Sequence, residues 1–77
     1  MKANLFQVLD IVTLQEDLPS YHLHKGDLGT IVHVYPAEGF YEVEFLQRDG
    51  RTIAVVTLPQ ASLGLPGKPH HAIPTRR

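Results

Sequence analysis

The chain contains no cysteine. That removes disulfides, thiol catalysis and thiolate-bound zinc together, and because small secreted domains depend on such cross-links, it points to a cytoplasmic home. Tryptophan is also missing, which counts against a polyproline-docking groove, since such grooves are walled by aromatic rings. No run of about 20 apolar residues occurs, so no segment reads as a membrane span. The opening MKANLFQVLDIV has one lysine, a broken apolar stretch and no small-residue cleavage site, and predicts no secretion signal. Helix signals are absent too: no window shows a capping residue followed by apolar periodicity of 3.6, and no internal repeat is found.

What remains is an ordinary globular composition, 77 residues with 43% hydrophobic and 19% charged. A chain this short forms one domain and buries only about 60% of the surface its unfolded form exposes, so its stability is marginal. Charge is divided unevenly. Residues 1–64 hold Lys2, Lys25, Arg48 and Arg51 against eight acidic residues, a net −4, while residues 65–77 hold Lys68, Arg76 and Arg77 with no acid, a net +3. The second segment, LPGKPHHAIPTRR, is rich in proline and lacks periodicity, and reads as a flexible basic C-terminal tail outside the folded unit at 1–64. Its PxxP string, Pro66-Gly67-Lys68-Pro69, reads as linker.

Strand signals fill the first segment. FQVLDIVTL, residues 6–14, is β-branched and aromatic with imperfect alternation, which predicts a first strand with a bulge near Asp10 and leaves its buried face open. Residues 15–27 carry Pro19 and the turn Lys25-Gly26-Asp27 and form a long connection. LGTIVHVY at 28–35 predicts a second strand with Leu28, Val32 and Val34 inside and His33 and Tyr35 outside; Gly29 within it signals a bulge or a close backbone approach. After the turn Pro36–Gly39, FYEVEFL gives the cleanest alternation, with Tyr41, Val43 and Phe45 inward and Glu42 and Glu44 outward. Asp49-Gly50 predicts a tight hairpin, and RTIAVVTL at 51–58 returns with Ala54, Val56 and Leu58 on the core. Ala61-Ser62-Leu63 supplies a helical turn or a fifth strand. Short antiparallel strands at this length curl most naturally into a five-stranded barrel.

Several short motifs in a fixed order carry a family resemblance. Leu18-Pro19, Lys25-Gly26-Asp27-Leu28-Gly29-Thr30-Ile31-Val32, Tyr41-Glu42-Val43-Glu44-Phe45, Asp49-Gly50-Arg51-Thr52 and Val56-Thr57-Leu58 together resemble a group of short bacterial proteins, frequent in cyanobacteria, known only as a domain of unknown function. The resemblance spans about residues 8–63 and implies an SH3-like barrel with no established activity. Because such genes often sit beside another small gene, it also implies a protein partner.

Candidate chemistry is thin. His22 and His24 share a face if extended, and with His33 offer an all-nitrogen site of the kind zinc, nickel or copper accepts; no HExxH, cysteine or defined third ligand supports it, and three surface histidines are the simpler account. Glu42 and Glu44 stand about 7 Å apart by strand rise, a separation that glycosidase pairs use. A barrel filled by its own side chains leaves little room for a substrate, so a solvated strand face is the better reading. Ser20 and Ser62 lack a general base and Lys25 lacks an apolar pocket. A non-enzymatic domain with no cofactor is therefore expected. Tyr21, Tyr35 and Phe40 near Lys25, Arg48 and Arg51 would suit nucleic acid, but a net −4 repels a polyanion. The reading that survives is a protein-binding module whose acidic face, Asp27, Glu38, Glu42 and Glu44, steers a basic partner, with self-association compatible.

Overall fold

The computed structural model describes residues 5–47 and 49–66. Five strands, β1 (Ile11–Leu14), β2 (Leu28–Tyr35), β3 (Phe40–Leu46), β4 (Thr52–Pro59) and β5 (Leu63–Gly64), form one antiparallel sheet in the order β4-β3-β2-β1-β5. Among the described residues helix is confined to two three-residue 3-10 turns, Pro19–Tyr21 and Gln60–Ser62. The all-β reading with five strands is borne out, as a sheet curled into a half-barrel whose edges are β4 and β5. The segment at 60–64 supplies both devices anticipated for it, a 3-10 turn and then a short strand on β1. Among the described residues no helix is long and apolar enough to cross a membrane. From residue 67 onward the expected tail lies outside the described residues.

Alternation explains the concave side. Tyr41, Val43 and Phe45 are fully buried at the centre of β3, and Val12, Leu14, Ile31, Val56, Leu58 and Leu63 close around them from the other four strands. Each such side chain contributes about 1.5–3 kcal/mol on leaving water. The hairpin at Asp49-Gly50 forms as its residues require: Gly50 takes φ +91°, and the Asp49 carboxylate accepts the Arg51 backbone N–H at 3.0 Å. Glycine meets that positive φ without the steric cost a side chain brings.

Two expectations on β2 are corrected. Leu28 and Val32 point outward, 55% and 38% exposed, while Ile31 is buried and Val34 packs half-buried against the core. The cause is a bulge. Ile31 faces Val43 and His33 faces Glu42, so Val32 is an extra residue with no opposite number. One inserted residue reverses which parity faces the core. Gly29 and Ile31 are inside before it and Val34 after it, with His33 and Tyr35 outside as expected.

The first strand is shorter than its composition suggests. Gln7–Asp10 makes a turn in which the Asp10 N–H donates to Gln7 O at 3.0 Å, the Gln7 N–H donates to Asp10 Oδ2 at 2.9 Å, and Leu9 sits at φ +80°. Leu9 N–H donates to Ile31 O and Ile31 N–H donates to Asp10 O. That two-against-one arrangement is the irregularity anticipated near Asp10. Phe6, ahead of the turn, folds into the core with its ring edge-on to Tyr41 at 5.5 Å. The long connection is tied down by its own side chains: Asp17 accepts the Lys25 N–H, Asp27 accepts the His24 N–H, both at 2.8 Å, and Leu23 inserts into the core.

Candidate protein-binding face

The convex side of the sheet is ordered by register. Val55, Glu44, Thr30 and Ile11 form one row across β4, β3, β2 and β1, while Thr57, Glu42 and His33 form the next. A carboxylate stands at the β3 position of each row, as the alternation of β3 predicts. Directly opposite residues lie about 4.5–5.5 Å apart, so hydroxyls on the neighbouring strands reach these carboxylates.

They do reach them. Glu42 Oε1 accepts the Thr57 hydroxyl at 3.0 Å and the Tyr35 hydroxyl at 2.9 Å, and Glu44 Oε2 accepts the Thr52 hydroxyl at 2.8 Å. Both glutamates are half-buried. Hydrogen bonds to an ionised acceptor are the stronger kind, so the two side chains are held rather than free to sweep. Among the described residues neither has an ion pair; the charged contacts are Arg51 with Asp49 at 3.0 Å and His24 with Asp27 at 4.0 Å. The Tyr35 phenol is raised above its ordinary value, first by donating to Glu42, then by burial, then by the charges of Glu42 and Glu38. Arg51 holds the Asp49 carboxyl below the usual range, its backbone N–H contributing most and its guanidinium next.

The four acidic residues named from the sequence therefore divide. Glu42 and Glu44 share the convex face; Glu38, in the β2–β3 turn, adds its field at the Tyr35 end. Asp27 belongs to the long connection, where its carboxylate caps the His24 N–H. His22, His24 and His33 are not brought into a metal-holding group among the described residues: His22 ends a 3-10 turn in the left-handed region, His24 faces Asp27, and His33 stacks edge-on to Tyr35 at 4.6 Å.

Around the carboxylates lies apolar surface that the charge pattern did not reveal. Ile11, Leu28 and Leu46 are each about half exposed, and with Gly29, Thr30 and Glu44 they line a groove of about 200 Å³. Leu28 and Leu46 continue into a second groove of about 470 Å³, floored by Leu23 and Phe45 and rimmed by Asp27 and Ile53. Extending the alternation of β3 by one step puts Leu46 beside Glu44 on the outside, which is the signal that could have found it. Leu28 was hidden by the bulge.

No curated protein and no solved structure matches this chain. The match that exists is to a family profile: residues 8–64, which run from the Gln7–Asp10 turn to the end of β5 and so carry all five strands and the convex face, fit the domain of unknown function DUF4926, and the chain belongs to that family.

Proposed function

We propose that this chain is a small non-enzymatic protein-binding module that meets a basic partner through the convex face of β3. One observation carries the reading: Glu42 and Glu44 are half-buried, held by three hydroxyls, and matched by no cation among the described residues. Fixed carboxylates lose little conformational freedom when a cation docks, and the bordering leucines and isoleucine supply apolar area. Two opposite charges 4 Å apart attract by about 4 kcal/mol at an effective dielectric of 20, before desolvation is subtracted. Glu38 extends the field and so adds to encounter rate more than to contact.

The test compares immobilised wild-type protein with Glu42→Gln/Glu44→Gln in native-cell extract, identifies bound proteins by mass spectrometry, and then measures association rates with the recovered partner. The double variant should fold normally and associate on the order of 10-fold more slowly, with a weaker dependence on salt. Equal rates and affinities for the two proteins would remove the acidic face from the mechanism.

A further inference from the structure

Among the described residues the sheet stops at β4, which is bonded on one side only. Which of its backbone groups are left over follows from the ladder. The Gln60 N–H donates to Gly39 O at 3.3 Å, one step beyond the Phe40–Pro59 pair. Hydrogen-bonded and non-bonded pairs alternate in an antiparallel ladder, so Tyr41–Leu58, Val43–Val56 and Phe45–Ala54 exchange bonds while Phe40–Pro59, Glu42–Thr57 and Glu44–Val55 do not. Pro59, which has no N–H, falls on the non-bonded parity as it must. The N–H and C=O groups of Val55 and Thr57 therefore point away from β3. Among the described residues they have no backbone partner.

We propose that β4 is a homodimerisation edge, pairing antiparallel with β4 of a second copy about a two-fold axis through Val56. In that register Val55 of each copy faces Thr57 of the other. Both pairs exchange bonds, so all four outward groups of each copy are satisfied. An open edge accepts any extended chain, and proteins usually blunt one with lysine, a central proline or a mid-strand bulge. This strand uses none of these at its centre: no charged residue occurs from Thr52 to Pro66, the proline is at the end, and the irregularity in the β3–β4 register falls at Ile53, leaving Ala54–Leu58 plain.

Charge favours a second copy at this place. Residues 1–64 carry net −4, so two copies repel wherever acidic faces meet, yet β4 contributes no charge. In the paired sheet the two β3 strands are three strand spacings apart, about 14 Å. That exceeds the Debye length of about 8 Å at physiological salt, so the Glu42 and Glu44 charges of the two copies are screened from each other. Area sets the strength. In this register the seven residues Ile53–Pro59 overlap, a length of about 24 Å, and with a sheet about 10 Å thick they cover on the order of 240 Å² per copy, well short of the roughly 800 Å² per partner of a standard stable interface. A weak, rapidly exchanging dimer, populated only as the chain approaches millimolar concentration, is what this edge supports.

Sedimentation of the full chain from about 10 µM to 1 mM tests it, with amide spectra recorded over the same range. The mass should rise from 8.6 kDa toward twice that, with concentration-dependent shifts centred on the Val55 and Thr57 amides. Val55→Lys places a charge on the edge at a half-exposed site, and Val55→Pro deletes an outward N–H without touching the β3 ladder; each should weaken dimerisation at least 10-fold while circular dichroism stays native. A wild-type mass that remains monomeric at 1 mM overturns the proposal. So does a dimer that survives both substitutions, or one whose shifts lie elsewhere, which would mark the convex face or another strand partner as the occupant.

Discussion

Gly29→Ala isolates a single methyl group. A Cβ built on Gly29 would lie 2.6 Å from Val43 Cγ1, 2.8 Å from Phe45 Cε1 and 3.0 Å from Phe45 Cδ1. All three atoms belong to fully buried side chains, and neither a β-branched valine nor a packed ring can swing aside cheaply. Gly29 is not among the positive-φ glycines, so space alone decides. Overpacking a core by one carbon costs about 1–3 kcal/mol, offset by about 0.4–1 kcal/mol from the stiffer unfolded chain. A net loss of about 1–2 kcal/mol is expected, from a total of about 4–11 kcal/mol for a domain of this length. Thermal unfolding followed by circular dichroism should show a midpoint about 5–15 °C lower. Repeating the substitution in a Val43→Ala background removes the nearest clash, so Gly29→Ala should cost at least about 0.5 kcal/mol less there. A variant as stable as wild type, or an equal cost in both backgrounds, would show that β2 and β3 do not approach as described.

Three further outcomes are expected. Val43→Asp should abolish the fold, because an unpaired carboxylate would replace a fully buried side chain at the centre of β3; a native circular dichroism spectrum at 25 °C would contradict this. Glu42→Gln should bring the Tyr35 phenol down toward its ordinary value near 10, read by ring carbon shifts against pH. Since the folded value is raised, the associated stability is complete below the unfolded value near 10 and is lost as pH rises through the folded one, so the variant should flatten that alkaline decline. A Tyr35 midpoint indifferent to residue 42 would refute the hydrogen bond. Leu9→Gly should leave stability unchanged or raise it by up to about 1 kcal/mol, since a left-handed residue costs about 1–2 kcal/mol and glycine's extra chain entropy about 0.5–1 kcal/mol; with Leu9 75% exposed little packing is lost, and clear destabilisation in urea would mean the side chain has a hidden role.

The parts of the fold legible in the sequence are those governed by an unbroken local period. Tyr41, Val43 and Phe45 alternate with Glu42 and Glu44 without interruption, so both faces of β3 could be read. Leu28 and Val32 could not, because a bulge leaves no mark when the extra residue is itself a good strand former. Leu9 is another such case: leucine rarely adopts a positive φ, and it is held there by the Gln7–Asp10 turn together with its bond to Ile31 on the paired strand. In the candidate site the two glutamates were visible, but Tyr35, Thr52 and Thr57 became their partners through cross-strand register. Register depends on which strands pair, and that is settled by the whole sheet. Asp27 differs from them: as a turn residue it uses its carboxylate on its own backbone, accepting the His24 N–H, a role that its charge alone does not reveal.

The N-terminal segment and the turn after β4 are joined by a chain of polar contacts: Phe6 N–H donates to the Tyr41 hydroxyl at 3.3 Å, and Gln60 Oε1 accepts both that hydroxyl, at 2.5 Å, and Leu5 N–H, at 3.1 Å. β1 likewise waits for β5 at its outer edge. During synthesis the β2-β3-β4 meander finds all its partners as soon as Pro59 is available, yet β1, which precedes it in the chain, cannot be completed until β5 follows. Closing such long loops is slow relative to local pairing. For that interval the β1 edge is exposed to whatever binds nascent chains. Ribosome-stalled chains should therefore remain protease-sensitive at β1 until Leu63 and Gly64 have cleared the exit tunnel, and become protected within a few residues of that point.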